Sequence, residues 1–198
     1  MATFQVQLQD LAGAQSTPDT AAMSDWLTAG AREILEILPP NKLMRIASKA
    51  DFTASIDVEG KKIISVLRKD ADNSGLRMPC RALSPLMMGR VDDSNYMEAA
   101  TTSDPAYIVF NDELNTFPAS ASSNDSRVVY VNAAITVAYG DSTIANFPDE
   151  AEHAVVLFAA RKYLQRLLSD NEDEWYQIQY QMVDNEYQQA IKALQGGL

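Results

Sequence analysis

Three kinds of side chain in this sequence could carry chemistry: one histidine, one cysteine and several runs of adjacent acids. His153, flanked by Glu150 and Glu152, is the only histidine, so neither a HExxH pair nor an ordinary zinc cluster can be assembled around it. It reads as a structural or surface residue. Cys80 follows Pro79 with no CxxC partner and no neighbouring base, which is the pattern of a buried apolar thiol. Asp92-Asp93, Asp149-Glu150 and Glu172-Asp173-Glu174 could hold Mg²⁺ or divide acid and base roles only if the fold brought such groups together. Each lies in an apparent turn or helix start and reads as a solvated cap. The eight glycines form no GxSxG elbow, GxxxxGK[ST] phosphate loop or GxGxxG fingerprint. The expectation is no catalytic residue, no cofactor and no metal, with binding or scaffolding favoured over catalysis. A metal-dependent hydrolase built from dispersed acids is the alternative from a different class.

The elements that must position these residues are legible in the hydropathy pattern. Residues 1–16 read as a flexible or partner-binding arm. Thr17-Pro18-Asp19 then reads as an N-cap, a first-position proline and a first-turn acid, opening a helix that ends before Pro39-Pro40. Its stripe is Met23, Trp26, Leu27, Gly30, Ile34, Leu35 and Leu38, with Trp26 either core or an interface anchor. Strand-like runs follow: FTASIDV, KKIISVLRKD with a turn at Asn73-Ser74-Gly75, LRMPCRALS with Pro79 marking an edge or bulge, AYIVF, a turn at Asn111-Asp112-Glu113, LNTFPA and RVVYVNAAITVAY at 127–139. The Ser/Asn-rich stretch 119–126 reads as a projecting loop or a plain connection. Phe147-Pro148-Asp149-Glu150 opens a long helix to about Leu168, and Ser169–Glu174 caps a second carrying Trp175, Ile178, Met182, Tyr187, Ala190, Ile191 and Leu194. The fold class is therefore α+β in one domain, 1–198: an N-terminal helix, a small central mixed or antiparallel sheet covered by helices, and a C-terminal helical hairpin.

Charge narrows the partners. Sixteen basic against 27 acidic residues leave a net of −11, which disfavours general affinity for nucleic-acid phosphates. Residues 32–90 hold 11 basic and 7 acidic side chains, a net of +4, whereas 91–160 hold 1 and 11, a net of −10. Lys61, Lys62, Arg68 and Lys69 on one expected strand could face acids of a neighbouring copy in a head-to-tail ring. Phe158, Tyr163, Trp175, Tyr176 and Tyr180 are aromatic candidates for a protein interface. No apolar run reaches the roughly 20 residues that span a bilayer. A single cysteine and a start, MATFQVQLQD, without a basic and apolar leader give cytoplasmic synthesis as the expectation.

The order of these segments resembles the head-to-tail connector, or adaptor, proteins of tailed bacteriophages, in particular the tail tubular protein A family of short-tailed phages. The likeness is carried by DWLTAGAREILEILP, by DPAYIVFNDELNTFPA, and above all by NFPDEAEHAVVLFAARKYLQRLLSDNEDEWYQIQYQMVDNEYQQAI, and covers most of 17–194. The resemblance implies a structural virion protein in the neck or tail of the particle. It implies a twelve-subunit homo-oligomeric ring docked on the portal, meeting the tail nozzle or a following tail protein, with double-stranded DNA passing through transiently and without specific binding. The two C-terminal helices would then contribute to the ring body, and Asp170, Glu172, Asp173 and Glu174 are candidates for channel-facing acids. A head-completion or tail-terminator protein is the alternative within the same class.

Overall fold

The computed structural model describes residues 2–13, 19–69, 76–97, 99–119, 125–170 and 174–196. Two compact units emerge, one helical from Met1–Ile46 with Ala133–Leu198, the other of strands from Ala47–Asn132. The architecture is α+β, with N-terminal helices, central mixed sheets and a C-terminal pair of long contacting helices.

In the helical unit, α1 (Phe4–Ala12) buries Phe4, Leu8 and Ala12, a strict four-residue stripe. The segment expected to be an arm is thus a packed helix over these residues; a stripe of only three small turns is easily overlooked among glutamines. Helix α2 (Thr20–Ile37) is capped by Asp19, whose carboxylate accepts from the N–H groups of Ala21 and Ala22, rather than by Thr17. Thr17 and Pro18 lie outside the described residues. A short α3 (Pro40–Leu43) follows. Helix α4 (Asp149–Asp170) starts where the proline and acids place it, and contacts α1, α2 and α5 (Glu174–Gly196). Its AVVLFAA run, expected to be one side of an amphipathic helix, is buried on all sides, because three helices surround it.

Residues 133–139 continue the alternation of the preceding strand but join no sheet. They run extended along α2, where Ser24, Thr28 and Arg32, one turn apart, satisfy the backbone. Ser24 Oγ accepts from Tyr139 N–H at 3.1 Å, Thr28 Oγ1 accepts from Val137 N–H at 3.0 Å, and the Arg32 guanidinium donates to Ile135 O. Four helical residues rise about 6 Å and two extended residues about 6.6 Å, so the two periods stay in step over this length. Helical side chains here replace a partner strand.

The strand unit holds two four-stranded sheets rather than one. The first has the order β1 (Ser48–Phe52), β8 (Ser126–Asn132), β3 (Lys61–Lys69), β4 (Arg77–Pro79). The second has the order β2 (Ser55–Asp57), β7 (Glu113–Phe117), β6 (Ala106–Phe110), β5 (Arg81–Ala82). All pairings are antiparallel except β5 with β6. The LRMPCRALS segment is not one hairpin partner: Pro79 ends edge strand β4, and Arg81 begins β5 in the other sheet. Asn111 and Asp112, both at positive φ, form the two-residue turn between β6 and β7. Phe52, Val66 and Val128 of the first sheet meet Leu114 of the second in a shared core. The second sheet's other face, with Ala106, Ile108 and Phe117, packs against Val91. The expected turn at 73–75 and most of the 119–126 loop lie outside the described residues.

Candidate functional site

The chemistry-bearing residues occupy separate places. His153 is exposed on α4, its Nε2 3.2 Å from Glu186 Oε1 on α5. Cys80 sits half-buried between β4 and β5, where burial pushes its thiol up to about 12 against the opposing charge of Arg68. It stays a neutral thiol at physiological pH, which is a poor nucleophile. Glu152 is buried on α4 and accepts from the Ile144 N–H at 2.6 Å, so one of the first-turn acids anchors the loop before its own helix. Among the described residues, no group of three His, Cys, Asp or Glu side chains is placed to hold a metal ion. An open groove of about 590 Å³ runs along Ser24, Thr28, Arg32, Val137 and Asp141. Ser24, Thr28 and Arg32 are engaged with the backbone ladder described above, and Asp141 Oδ2 accepts from the Ala138 N–H.

The basic strand residues are dispersed by the pleat. Lys61 Nζ donates to Asp57 O at 2.6 Å and lies 5.5 Å from the centre of the Tyr130 ring. Lys62 is half-buried on β3, and Lys69 pairs with Asp125 at 3.5 Å. Asp51 bridges Arg77 and Arg127, accepting from Arg127 through both oxygens in a fork. That hydrogen bond, with the charges of Arg77 and Arg127, holds the Asp51 carboxyl below its usual range. Arg45 with Glu150, Lys69 with Asp125 and Arg81 with Asp104 are all pairs between the basic segment 32–90 and the acidic segment 91–160. Part of the complementarity expected between neighbouring copies therefore closes within one chain.

Arg68 differs from its neighbours. It is 7% exposed on the inward face of β3, and its Nε and Nη1 have no hydrogen-bond partner among the described residues. Sequence reasoning grouped it with the surface lysines; the alternation from Val66, two residues earlier on the same strand, was the signal that it points inward.

The aromatic candidates divide into core and surface. Phe158 and Tyr163 are buried in the helical unit, where Phe158 packs against Tyr187 and Tyr163 against half-buried Trp26. None of these three presents an open face comparable with that of Trp175. Tyr176 and Tyr180 are half-buried. Trp175 is 44% exposed, edge-on to Tyr176, and rests on Gly13, where a Cβ would come within 2.7 Å of its ring. Ile178 and Met182 are 50% and 60% exposed. Of the α5 row read from sequence, Trp175, Ile178 and Met182 are thus open, Ala190 and Ile191 are half-buried, and Tyr187 and Leu194 are buried together with Val183, which the row omits. Asp170 and Glu174, which flank the α4–α5 connection, are exposed, while Glu172 and Asp173 lie outside the described residues.

No protein-family model and no curated protein sequence matches this chain. A second set of open apolar side chains lies in the strand unit: Leu86 at 92% exposure and Met97 at 100%, with Met88 and Tyr96 between them in sequence and Phe110 at the β6–β7 turn. Among the described residues, no helix is long and apolar enough to cross a membrane.

Proposed function

We propose that the chain is a structural neck protein of a tailed-phage particle, an adaptor forming a ring between portal and tail around the DNA channel. The observation that carries this reading is the exposure of Trp175, Ile178 and Met182, large apolar side chains that follow one another at helical period along α5. A head-to-tail ring requires two different faces on each copy. The stripe supplies one, and the Leu86–Met97 segment supplies an unlike one. Intrachain ion pairing weakens the charge argument, so apolar contact is the main drive for assembly and charge refines its register. The exposed acids Asp170 and Glu174 suit a channel wall over which DNA slides without adhering.

The reading is tested by measuring particle mass by sedimentation for the full chain and for Trp175→Ser/Ile178→Ser/Met182→Gln. A wild-type assembly of about twelve chains that dissociates in a variant of unchanged helicity supports it. A wild-type chain that stays monomeric with and without portal contradicts it.

A further inference from the structure

A buried guanidinium cannot relieve its burial by losing its proton, because arginine stays charged at any pH at which the protein folds. Its N–H groups must find acceptors, or the fold carries a large penalty. Around Arg68 the acceptors are already used or missing. In the first sheet Phe52, Ser126, Arg68 and Met78 are paired across four strands and share one level, on the inward face. Ser126 Oγ lies 2.8 Å from Thr116 Oγ1, and these two hydroxyls are directed to the carbonyls of Thr53 and Ala54. Lys69, Arg77 and Arg127, on the same sheet, each have a carboxylate, whereas Arg68 has none among the described residues.

We infer that Arg68 is a receptor for a carboxylate that enters the end of the space between the two sheets. The class of ligand follows from charge and shape. One guanidinium, on the same face of β3 as Val66 and near Cys80, balances one negative charge, and a planar carboxylate matches a guanidinium edge through two parallel hydrogen bonds. A phosphate dianion would leave surplus charge in an apolar surround. The carboxylate is supplied either by a free small acid or by an acidic side chain of a polypeptide partner. The inference does not depend on the ring assignment.

The test uses the full chain at constant ionic strength, exchanging sodium chloride for sodium acetate. The melting temperature of the wild type rises saturably, by about 4 °C at tenfold excess over the dissociation constant, while Arg68→Met shows only the small non-saturating change common to any protein. In chloride, Arg68→Met melts at or above the wild-type temperature, as expected when an unpaired buried charge is replaced by an apolar chain of similar length. Saturable broadening of the ¹³C-carboxylate resonance of acetate with wild-type chain gives the same answer without a variant. An acetylated pentapeptide with one Asp as its only anionic group separates the sources: tighter binding than acetate assigns a polypeptide carboxylate, and acetate alone assigns a small acid. Equal melting in acetate and chloride with no broadening overturns the inference. So does an Arg68→Met chain that folds but melts several degrees lower in chloride, which would mean that the charge is already satisfied within the protein.

Discussion

Gly30 shows how closely the helical core is fitted. A Cβ there would come 2.8 Å from Cδ1 of Phe158, whose ring is fixed between Gly30 and Tyr187. Gly30→Ala improves helix propensity by about 1 kcal/mol but overpacks a closed site at a cost of about 1–3 kcal/mol, so the net expected effect is destabilising. A lower urea midpoint with unchanged slope checks it. Ionisable residues give two further expectations with opposite pH signs. The folded-state pKa of Asp51 lies below 3.8, so its pairing with Arg127 contributes stability above about pH 4, lost as pH falls through the folded value. Asp51→Asn is therefore less stable than wild type at pH 7, and the difference disappears in acid titrations of the melting temperature. Burial and Glu33 push the Tyr187 hydroxyl up to about 12. Between pH 10 and 12 the unfolded chain loses that proton and the folded chain keeps it, so stability falls with rising pH, and Tyr187→Phe flattens this alkaline limb.

Among the elements, α2 has two roles: its apolar stripe meets α4, and its Ser24, Thr28 and Arg32 row holds the extended 135–139 segment. Thr28→Val keeps the shape but leaves the Val137 N–H without its acceptor, with an expected loss of about 1–3 kcal/mol in urea unfolding. Unchanged stability in both Thr28→Val and Thr28→Ala would mean that the row is incidental. This is also where sequence reasoning reached its limit. The alternation of Ile135, Val137 and Tyr139 was readable, but alternation reports extended backbone facing an apolar surface, not whether a strand or a helix lies opposite. On α5 the difficulty is phase. The row read from sequence runs through Trp175, Ile178 and Met182, which are open, into Tyr187 and Leu194, which are buried with Val183, and hydropathy alone cannot decide which part of it is covered. Starts and turns fared better. The Pro-acid opening of α4 and the Asn111-Asp112 turn were legible because they depend on local backbone preferences. The sheet change after Pro79 and the inward aim of Arg68 depend on distant strands, and their signals were faint.

For the whole molecule, the division of charge along the chain and the open apolar surfaces make different claims. The basic and acidic segments were expected to pair between copies; Arg45–Glu150, Lys69–Asp125 and Arg81–Asp104 show that part of this pairing is internal. The net of −11 and the exposed Asp170 and Glu174 disfavour adhesion to phosphates, as the proposed DNA channel requires. Asp170→Lys/Glu174→Lys is expected to slow genome release from otherwise normal particles, measured as DNA ejected over time; unchanged ejection removes these acids from the channel wall. In the proposed ring, assembly rests on the α5 stripe and the Leu86–Met97 segment acting as unlike faces. Electron microscopy of the chain mixed with its cognate portal addresses this most directly. The expected result is a collar of twelve copies seated on the portal, with Trp175, Ile178 and Met182 buried between neighbours. Single chains that leave the portal bare, or a collar in which that stripe faces solvent, would contradict it.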